Sequence, residues 1–262
     1  MTEIAYERRY CLFFDLLGFK NKVNRLSTQN IHDVLQEIRA SHNYLETYGE
    51  SLFSSRKVTQ FSDNLVVSYL KGDFVGWMNI ISDVFHLQLS LIKHGFLIRG
   101  VVTAGDLFHN DQFCFGPALI EAAELEKSIL YPRVVLTDNF AARDLVHNPT
   151  ANFDLADGRN INNMVAVDLD GMLYIDYFNV VSEDFDSGLD ALFQYLRDLK
   201  KSIIELEEAA KTTIGLTSKY EWMRKKYDDM MTGIWSGGEP NIHGQNITGV
   251  YKHICSELRF TE

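Results

Sequence analysis

The chain is poor in proline and cysteine, with four prolines and three cysteines in 262 residues. So few helix and strand breakers leave most of the length to regular structure. Cys11, Cys114 and Cys255 have no metal-ligand spacing, which argues against a thiolate zinc centre. Cys11 and Cys114 lie in apolar, strand-like runs and are expected to be buried, reduced thiols. None of the eight histidines pairs at zinc spacing, and no nucleophile-elbow glycine pattern supports a Ser-His-Asp triad. No apolar run approaches the length of a membrane span. Residues 1–9 lack the basic, apolar, small-residue order of a secretion signal. These absences point to a cytoplasmic protein without membrane contact. There is also no excess of positive charge. Thirty-six acidic residues against 25 basic ones give a formal net charge of -11. That argues against a duplex nucleic-acid binder, and it repels a free nucleotide. A phosphate site on this chain would need a metal and local donors, such as the cluster Lys20, Lys22 and Arg25.

What is present is a chain of 46% hydrophobic composition, enough for one large domain or a domain with an appendage. No repeat is visible. Apolar patterning predicts a buried strand over 9–16 and a helix over 28–48. Strands over 57–61 and 64–70 flank a short turn at Ser62-Asp63. A helix over 74–93 is ended by Gly95, and a strand follows over 96–103. Next come a hairpin over 105–115 with a polar tip at His109-Asn110-Asp111, a helix over 117–127 and a strand over 133–137. A further hairpin (164–168 with 173–178) precedes helices over 189–213, 220–231 and 246–258. The first five elements define an α/β (α+β) fold with a ferredoxin-like core, an antiparallel sheet with helices on one face. We expect a domain over 1–180, with a helical extension over 181–262 packed on the core or on a second subunit. The stripe Leu192, Leu196, Leu199, Ile203, Leu206 suits such packing better than a membrane surface, because Glu and Asp crowd its polar face.

Two acidic residues carry the chemistry. Asp15 sits in Cys11-Leu-Phe-Phe-Asp15-Leu-Leu-Gly18-Phe19-Lys20, and Asp63 in Val58-Thr-Gln-Phe-Ser62-Asp63-Asn-Leu-Val-Val-Ser68. A carboxylate that ends a buried strand is costly unless it is solvated, paired or bound to a metal. Two of them, each beside turn-forming residues, can converge on one divalent ion at a strand-end cleft. A magnesium-dependent phosphoryl-transfer site needs that layout.

Over about residues 9–138 the pattern resembles a class III nucleotide cyclase domain. Phe14-Asp15-Leu16-Leu17-Gly18-Phe19 is similar to the family's first metal motif, and Phe61-Ser62-Asp63 to its hairpin with the second metal ligand. Ile98-Arg99-Gly100-Val101 through Gly105 resembles the following strand. Gly116-Pro-Ala-Leu-Ile-Glu-Ala122-Ala123-Glu-Leu125-Glu126 resembles the later helix. The resemblance implies two Mg²⁺ or Mn²⁺ ions held by Asp15, Asp63 and the Leu16 carbonyl. It also implies a triphosphate wrapped by Phe14, Gly18, Phe19 and Lys20, and a homodimer with shared sites.

The departures are chemical. Thr59 stands where purine cyclases select the base with lysine, and Phe113 where they use an acidic residue. Ile120 and Glu124 fall on the transition-state asparagine and arginine. A replacement cation is then required, with Arg99 favoured over Arg133, Arg56 and Lys57. Kept carboxylates, a rebuilt base pocket bordered by Thr59 and Phe113, and extra C-terminal helices resemble the divergent bacterial pyrimidine cyclases of the Pycsar anti-phage system. Those make cyclic CMP or cyclic UMP for a separate effector. The rival reading is a catalytically degenerate cyclase fold that senses nucleotides or binds protein. A nucleotidyl polymerase on the same core is disfavoured, because Phe61-Ser62-Asp63-Asn64 replaces its Gly-Gly-acidic hairpin.

Overall fold

The computed structural model describes residues 4–40, 55–72, 76–138, 140 and 161–260. The predicted helical residues 41–48 and 74–75 lie outside the described residues. The chain divides into two compact units. The first comprises residues 1–90 with 96–176, and the second 91–95 with 177–262.

The first unit is built on a mixed sheet. Its strands are β1 (Glu7–Leu17), β2 (Lys57–Phe61), β3 (Asn64–Leu70), β4 (Leu97–His109), β5 (Cys114–Phe115), β6 (Val134–Leu136), β7 (Val165–Val167) and β8 (Leu173–Ile175). The order is β2-β3-β1-β4-β6-β8-β7, with β5 paired to the end of β4. The β2-β3-β1-β4 portion is antiparallel throughout. It is the strand order of a ferredoxin-like core, as the sequence predicts. β6 then adds in parallel beside β4.

The alternation of β1 separates two faces. Tyr10, Leu12, Phe14 and Leu16 are buried on one side, facing the same way as Leu65, Val67 and Tyr69 of β3. Helix α3 (Gly76–Lys93) lies against this side through Asp83, and α2 (Thr28–Ala40) buries Val34 and Ile38. Tyr69 donates its hydroxyl to Asp83 of α3 at 2.9 Å, and Arg56 meets the same carboxylate at 2.8 Å. Cys11, Phe13, Asp15, Val66, Ser68, Thr59 and Arg99 share the opposite side by cross-strand register. Helix α4 (Pro117–Glu126) packs there, where Ala118 joins Cys11, Val66 and Leu107 in a small core.

Two predicted details change. The strand over 96–103 and the first arm of the hairpin over 105–115 are one long strand, β4, whose reversal at Asn110–Phe113 overlaps the predicted tip. Gly105 lies inside this strand; a Cβ there would stand 3.2 Å from the Ala118 Cβ, so it lets α4 approach the sheet. The later turn is held by Asn110, whose side-chain oxygen accepts from the Gln112 and Phe113 amides at 2.9 and 2.7 Å. Among the described residues, a two-stranded hairpin, β9 (Asn241–Ile242) with β10 (Gln245–Asn246), is also new. Its turn residues His243 and Gly244 both have positive φ, the signature of the tight hairpin turn.

The second unit carries the C-terminal helices α5 (Leu189–Ala210), α6 (Thr217–Ile234) and α7 (Gly249–Leu258). Leu192, Leu196, Leu199 and Ile203 form the buried stripe of α5. Phe193 stacks on Tyr251 at 4.9 Å, and the Tyr227 hydroxyl donates to the Leu258 carbonyl at 2.9 Å. The Lys200 ammonium donates to the carbonyls of Glu257 and Arg259 at 2.8 and 3.0 Å, satisfying orphan acceptors at the end of α7. No helix among the described residues is long and apolar enough to cross a membrane.

Candidate active site

Asp15 lies near the end of β1, opposite Asn64 on one side and Arg99 on the other. Asp63 occupies the β2–β3 turn, where Ser62 takes a left-handed conformation with φ 61°. The Leu16 amide donates to the Asp63 carbonyl at 3.0 Å. That bond brings the two acidic positions to adjoining strand ends. In an antiparallel ladder the N–H and C=O of one residue point to the same edge, so the Leu16 carbonyl also faces the Asp63 side. These positions offer two carboxylates and one backbone carbonyl. These are hard oxygen ligands, the type that suits Mg²⁺ or Mn²⁺. Asn64 donates its side-chain amide to Asp63 at 3.2 Å and orients it.

Arg99 stands beside this pair with its donors directed at protein acceptors. Its Nε and Nη2 each lie 2.5 Å from Glu126 Oε1, Nη2 lies 3.8 Å from Asp15 Oδ2, and Nη1 reaches the Ile129 carbonyl at 3.4 Å. Glu126 is buried at the inner face of α4. The Arg99 guanidinium is thus balanced first by Glu126 and then by Asp15.

The remaining candidate cations hold other acids. Arg133 is buried on Asp168 and Asp170, between the rings of Tyr131 and Tyr174. Arg56 binds Asp83, and Lys57 binds Asp111 at 2.8 Å. In the glycine turn, Gly18 has φ 74° and opens the short helix α1 (Phe19–Val23). The Phe19 ring faces Phe96 at 6.2 Å, and Lys22 lies over that ring at 5.1 Å. Lys20 is exposed. The Phe14 ring is fully buried on the helix-covered side, so it serves the core, and only its backbone lies beside Asp15.

Ile120 and Glu124 project from the exposed side of α4, Ile120 at 60% exposure, while Ala118, Ala122 and Glu126 face the sheet. Phe113, 59% exposed, rides the β4–β5 turn. Thr59 is half-buried on β2, on the sheet face that carries Asp15.

Sequence reasoning missed His109, which sits 5% exposed at the end of β4. Its Nε2 lies 2.8 Å from the Thr59 hydroxyl, and its Nδ1 lies 2.8 Å from the Ser68 hydroxyl. Ser68 in turn accepts from Arg9 Nε at 2.8 Å. Burial, followed by the charges of Arg9 and Lys57, pulls the His109 pKa down to about 4. No spacing motif announces this chain of four side chains, because they come from four different strands.

The fold and site together define a mixed α/β domain with two acidic positions at the ends of adjoining antiparallel strands. No family model matches the chain. No curated protein matches it in sequence. Among solved structures it is similar to the adenylyl cyclase CyaB from P. aeruginosa, at 15% identity over 53% of this chain and 81% of that one, with a TM-score of 0.38. It is also similar to the catalytic core of a rhodopsin-guanylyl cyclase with converted specificity in complex with ATPalphaS, at 15% identity over 65% and 95%, TM-score 0.43. A third is a bacterial light-regulated adenylyl cyclase, at 14% identity over 75% and 98%, TM-score 0.39.

Proposed function

We propose that this protein is a metal-dependent nucleotide cyclase that converts CTP or UTP to the 3′,5′-cyclic monophosphate and pyrophosphate. The observation that carries the reading is the pairing of Asp15 and Asp63 at adjoining strand ends, locked by the Leu16–Asp63 backbone bond. Asp15, Asp63 and the Leu16 carbonyl would hold two Mg²⁺ or Mn²⁺ ions. The ions would supply acidification of the ribose 3′-hydroxyl and neutralisation of the phosphate charge. In the reaction the 3′-oxygen forms a bond to the α-phosphorus as the α–β bridging bond breaks, and the 3′-hydroxyl proton leaves to solvent. No protein nucleophile is required, so the chain contributes position and charge. Gly18, Phe19 and Lys20 would border the triphosphate. Arg99 would keep Asp15 in place as it bridges to Glu126.

Thr59 and Phe113 would meet the base, Thr59 as a hydrogen-bonding group and Phe113 as a stacking face. The exposed Ile120, Glu124 and Phe113 fit a homodimer in which each site draws its carboxylates from one chain and its base pocket from the other. Residues 1–180 would form the catalytic domain and 181–262 a helical extension. The product would act in the cytoplasm as a messenger for a separate effector in bacterial anti-phage defence.

One observation favours the rival, a nucleotide-sensing or protein-interaction module. Ile120 and Glu124 project outward from α4 at the positions where the family's catalytic pair would stand. A single experiment separates the two. The purified protein is incubated with ATP, GTP, CTP or UTP and Mn²⁺ or Mg²⁺, and products are resolved by mass spectrometry, with Asp63→Ala as control. A cyclic pyrimidine nucleotide lost in the variant supports the cyclase, and binding without product supports the sensing module.

A further inference from the structure

We propose that the first unit carries a second binding site, remote from Asp15 and Asp63, that takes a free basic α-amino acid such as lysine or arginine. The proposal goes beyond the cyclase reading and does not depend on it.

A cavity of about 520 Å³ opens at the other end of the sheet, and Arg8, Lys71, Asp106, Glu121 and Asp138 supply its charged lining. That volume lies within the usual range for a small-molecule pocket. Arg8 stands seven residues before Asp15 on β1, roughly 23 Å away along the strand. The cavity forms where the sheet loses a neighbour. β6 pairs with β4 at Gly100–Val102, and β5 pairs further on at Phe108–His109. Among the described residues, no strand continues from β6 alongside Ala104–Asp106. Gly105 and Ala118 line the space with little bulk of their own.

The charges are sorted across the sheet. In strand order the cavity meets Lys71 just past β3, Arg8 on β1, Asp106 on β4 and Asp138 just past β6. Two cations stand on one side and two carboxylates on the other, with Glu121 of α4 as a third acid. Backbone pairing fixes this order. The Lys71 amide donates to the Arg8 carbonyl at 2.9 Å, Arg8 stands opposite Asp106 in the β1–β4 register, and the Thr137 amide, next to Asp138, donates to the Val102 carbonyl at 3.0 Å. Strands lie about 4.8 Å apart, so the backbones of Lys71 and Asp138 are separated by roughly 14 Å. Where the two signs meet, Arg8 approaches Asp106 at 3.4 Å, with the side chains 62% and 48% exposed. An ion pair that exposed is worth little against water, and both members can turn to a ligand.

This pattern selects the ligand. Two cations against three carboxylates leave the lining with a formal charge of -1. Free lysine or arginine carries one carboxylate and two cations, the complementary set. Its carboxylate fits between Lys71 and Arg8, its α-ammonium at Asp106, and its side-chain cation toward Asp138 and Glu121. Inorganic phosphate would meet more acid than base, and a diamine would leave Lys71 and Arg8 unanswered. Among the described residues no group of three acids is placed to hold a metal ion, so a divalent cation does not suit the cavity.

The test is binding of L-lysine, L-arginine, cadaverine and Nα-acetyl-lysine to the full-length protein, followed by calorimetry and by ligand-observed NMR. Lysine or arginine should bind saturably. Lys71→Gln and Asp138→Asn, both at exposed positions, should each weaken that binding by about tenfold. Lys225→Gln, on α6, should leave it unchanged. Cadaverine lacks the carboxylate, and Nα-acetyl-lysine stands in for a lysine at a peptide C-terminus. Each should bind at least about tenfold more weakly than lysine. Cadaverine binding as well as lysine would make this a polyamine site, and Nα-acetyl-lysine binding as well would make it a site for a peptide terminus. Either result overturns the proposal, as does the absence of saturable binding by both methods, or binding that survives both Lys71→Gln and Asp138→Asn. No triphosphate enters the assay, so its failure leaves the cyclase reading standing.

Discussion

The Leu16 amide donates to the Asp63 carbonyl at 3.0 Å, one residue beyond Asp15 on β1. This bond fixes the distance between two segments that lie nearly fifty residues apart in the chain. It also means that the acidic positions are held by backbone, so removing a carboxylate leaves their scaffold intact.

The first prediction follows. Asp15→Asn and Asp63→Asn should each abolish metal-dependent product while changing Tm by no more than a few degrees. Each should also remove the rise in Tm that Mn²⁺ gives wild type, because the ion binds the folded chain through these oxygens. Differential scanning calorimetry with and without Mn²⁺ checks this. A Mn²⁺-induced shift that survives in both variants would rule out the proposed ligand set.

His109 makes stability depend on pH. Its folded pKa of about 4 lies below the 6.5 of an unfolded imidazole. As pH falls through 6.5, the unfolded chain takes up a proton that the fold refuses, so stability is lost from there down to about pH 4. The whole span amounts to roughly 3 kcal/mol, of which about 2 lies above pH 5. His109→Gln lacks this titration. Its Tm should fall less than that of wild type between pH 7 and pH 5.

The four-strand core was legible because β1, β2, β3 and the start of β4 are short apolar runs separated by clear turn signals. Asp15 and Asp63 stood out because a charge at the end of such a run needs a reason. The length of β4 was not legible, since Gly105 is required by the approach of Ala118 and a glycine looks the same in either role. The turn at His243-Gly244 was hidden by flanking strands of two residues each, too short to show alternation. The Arg9–Ser68–His109–Thr59 relay could not be read at all. Each member is an ordinary residue on its own strand, and only the curl of β4 over the sheet brings them together.

Gly100 faces β1, and a Cβ there would stand 2.6 Å from both the Phe13 carbonyl oxygen and the Phe14 Cβ. Neither neighbour can withdraw without opening the β1–β4 ladder that places Arg99 beside Asp15. Gly100→Ala should therefore lower stability by about 1–3 kcal/mol, a fall of about 5 °C in Tm. Thermal unfolding measured by circular dichroism checks it, and an unchanged Tm would show that the ladder yields more easily than its register suggests.

Arg99 and Glu126 separate a positioning role from direct charge stabilisation of the substrate. Arg99→Ala leaves the Glu126 carboxylate, 7% exposed, without its partner. Stranding one member of a buried pair typically destabilises by about 3–5 kcal/mol. Arg99→Met with Glu126→Leu removes both charges at similar volume and should recover most of that loss. The double variant then reports on chemistry in a folded protein. If Arg99 acts only by holding Asp15, with its guanidinium directed at Glu126, Asp15 and Ile129, kcat should fall by about tenfold or less. Loss of a cation that meets the reacting phosphate would instead lower kcat by about 10³-fold or more. Single-turnover rates of the double variant at saturating Mn²⁺ decide between these outcomes, and the geometry predicts the smaller loss.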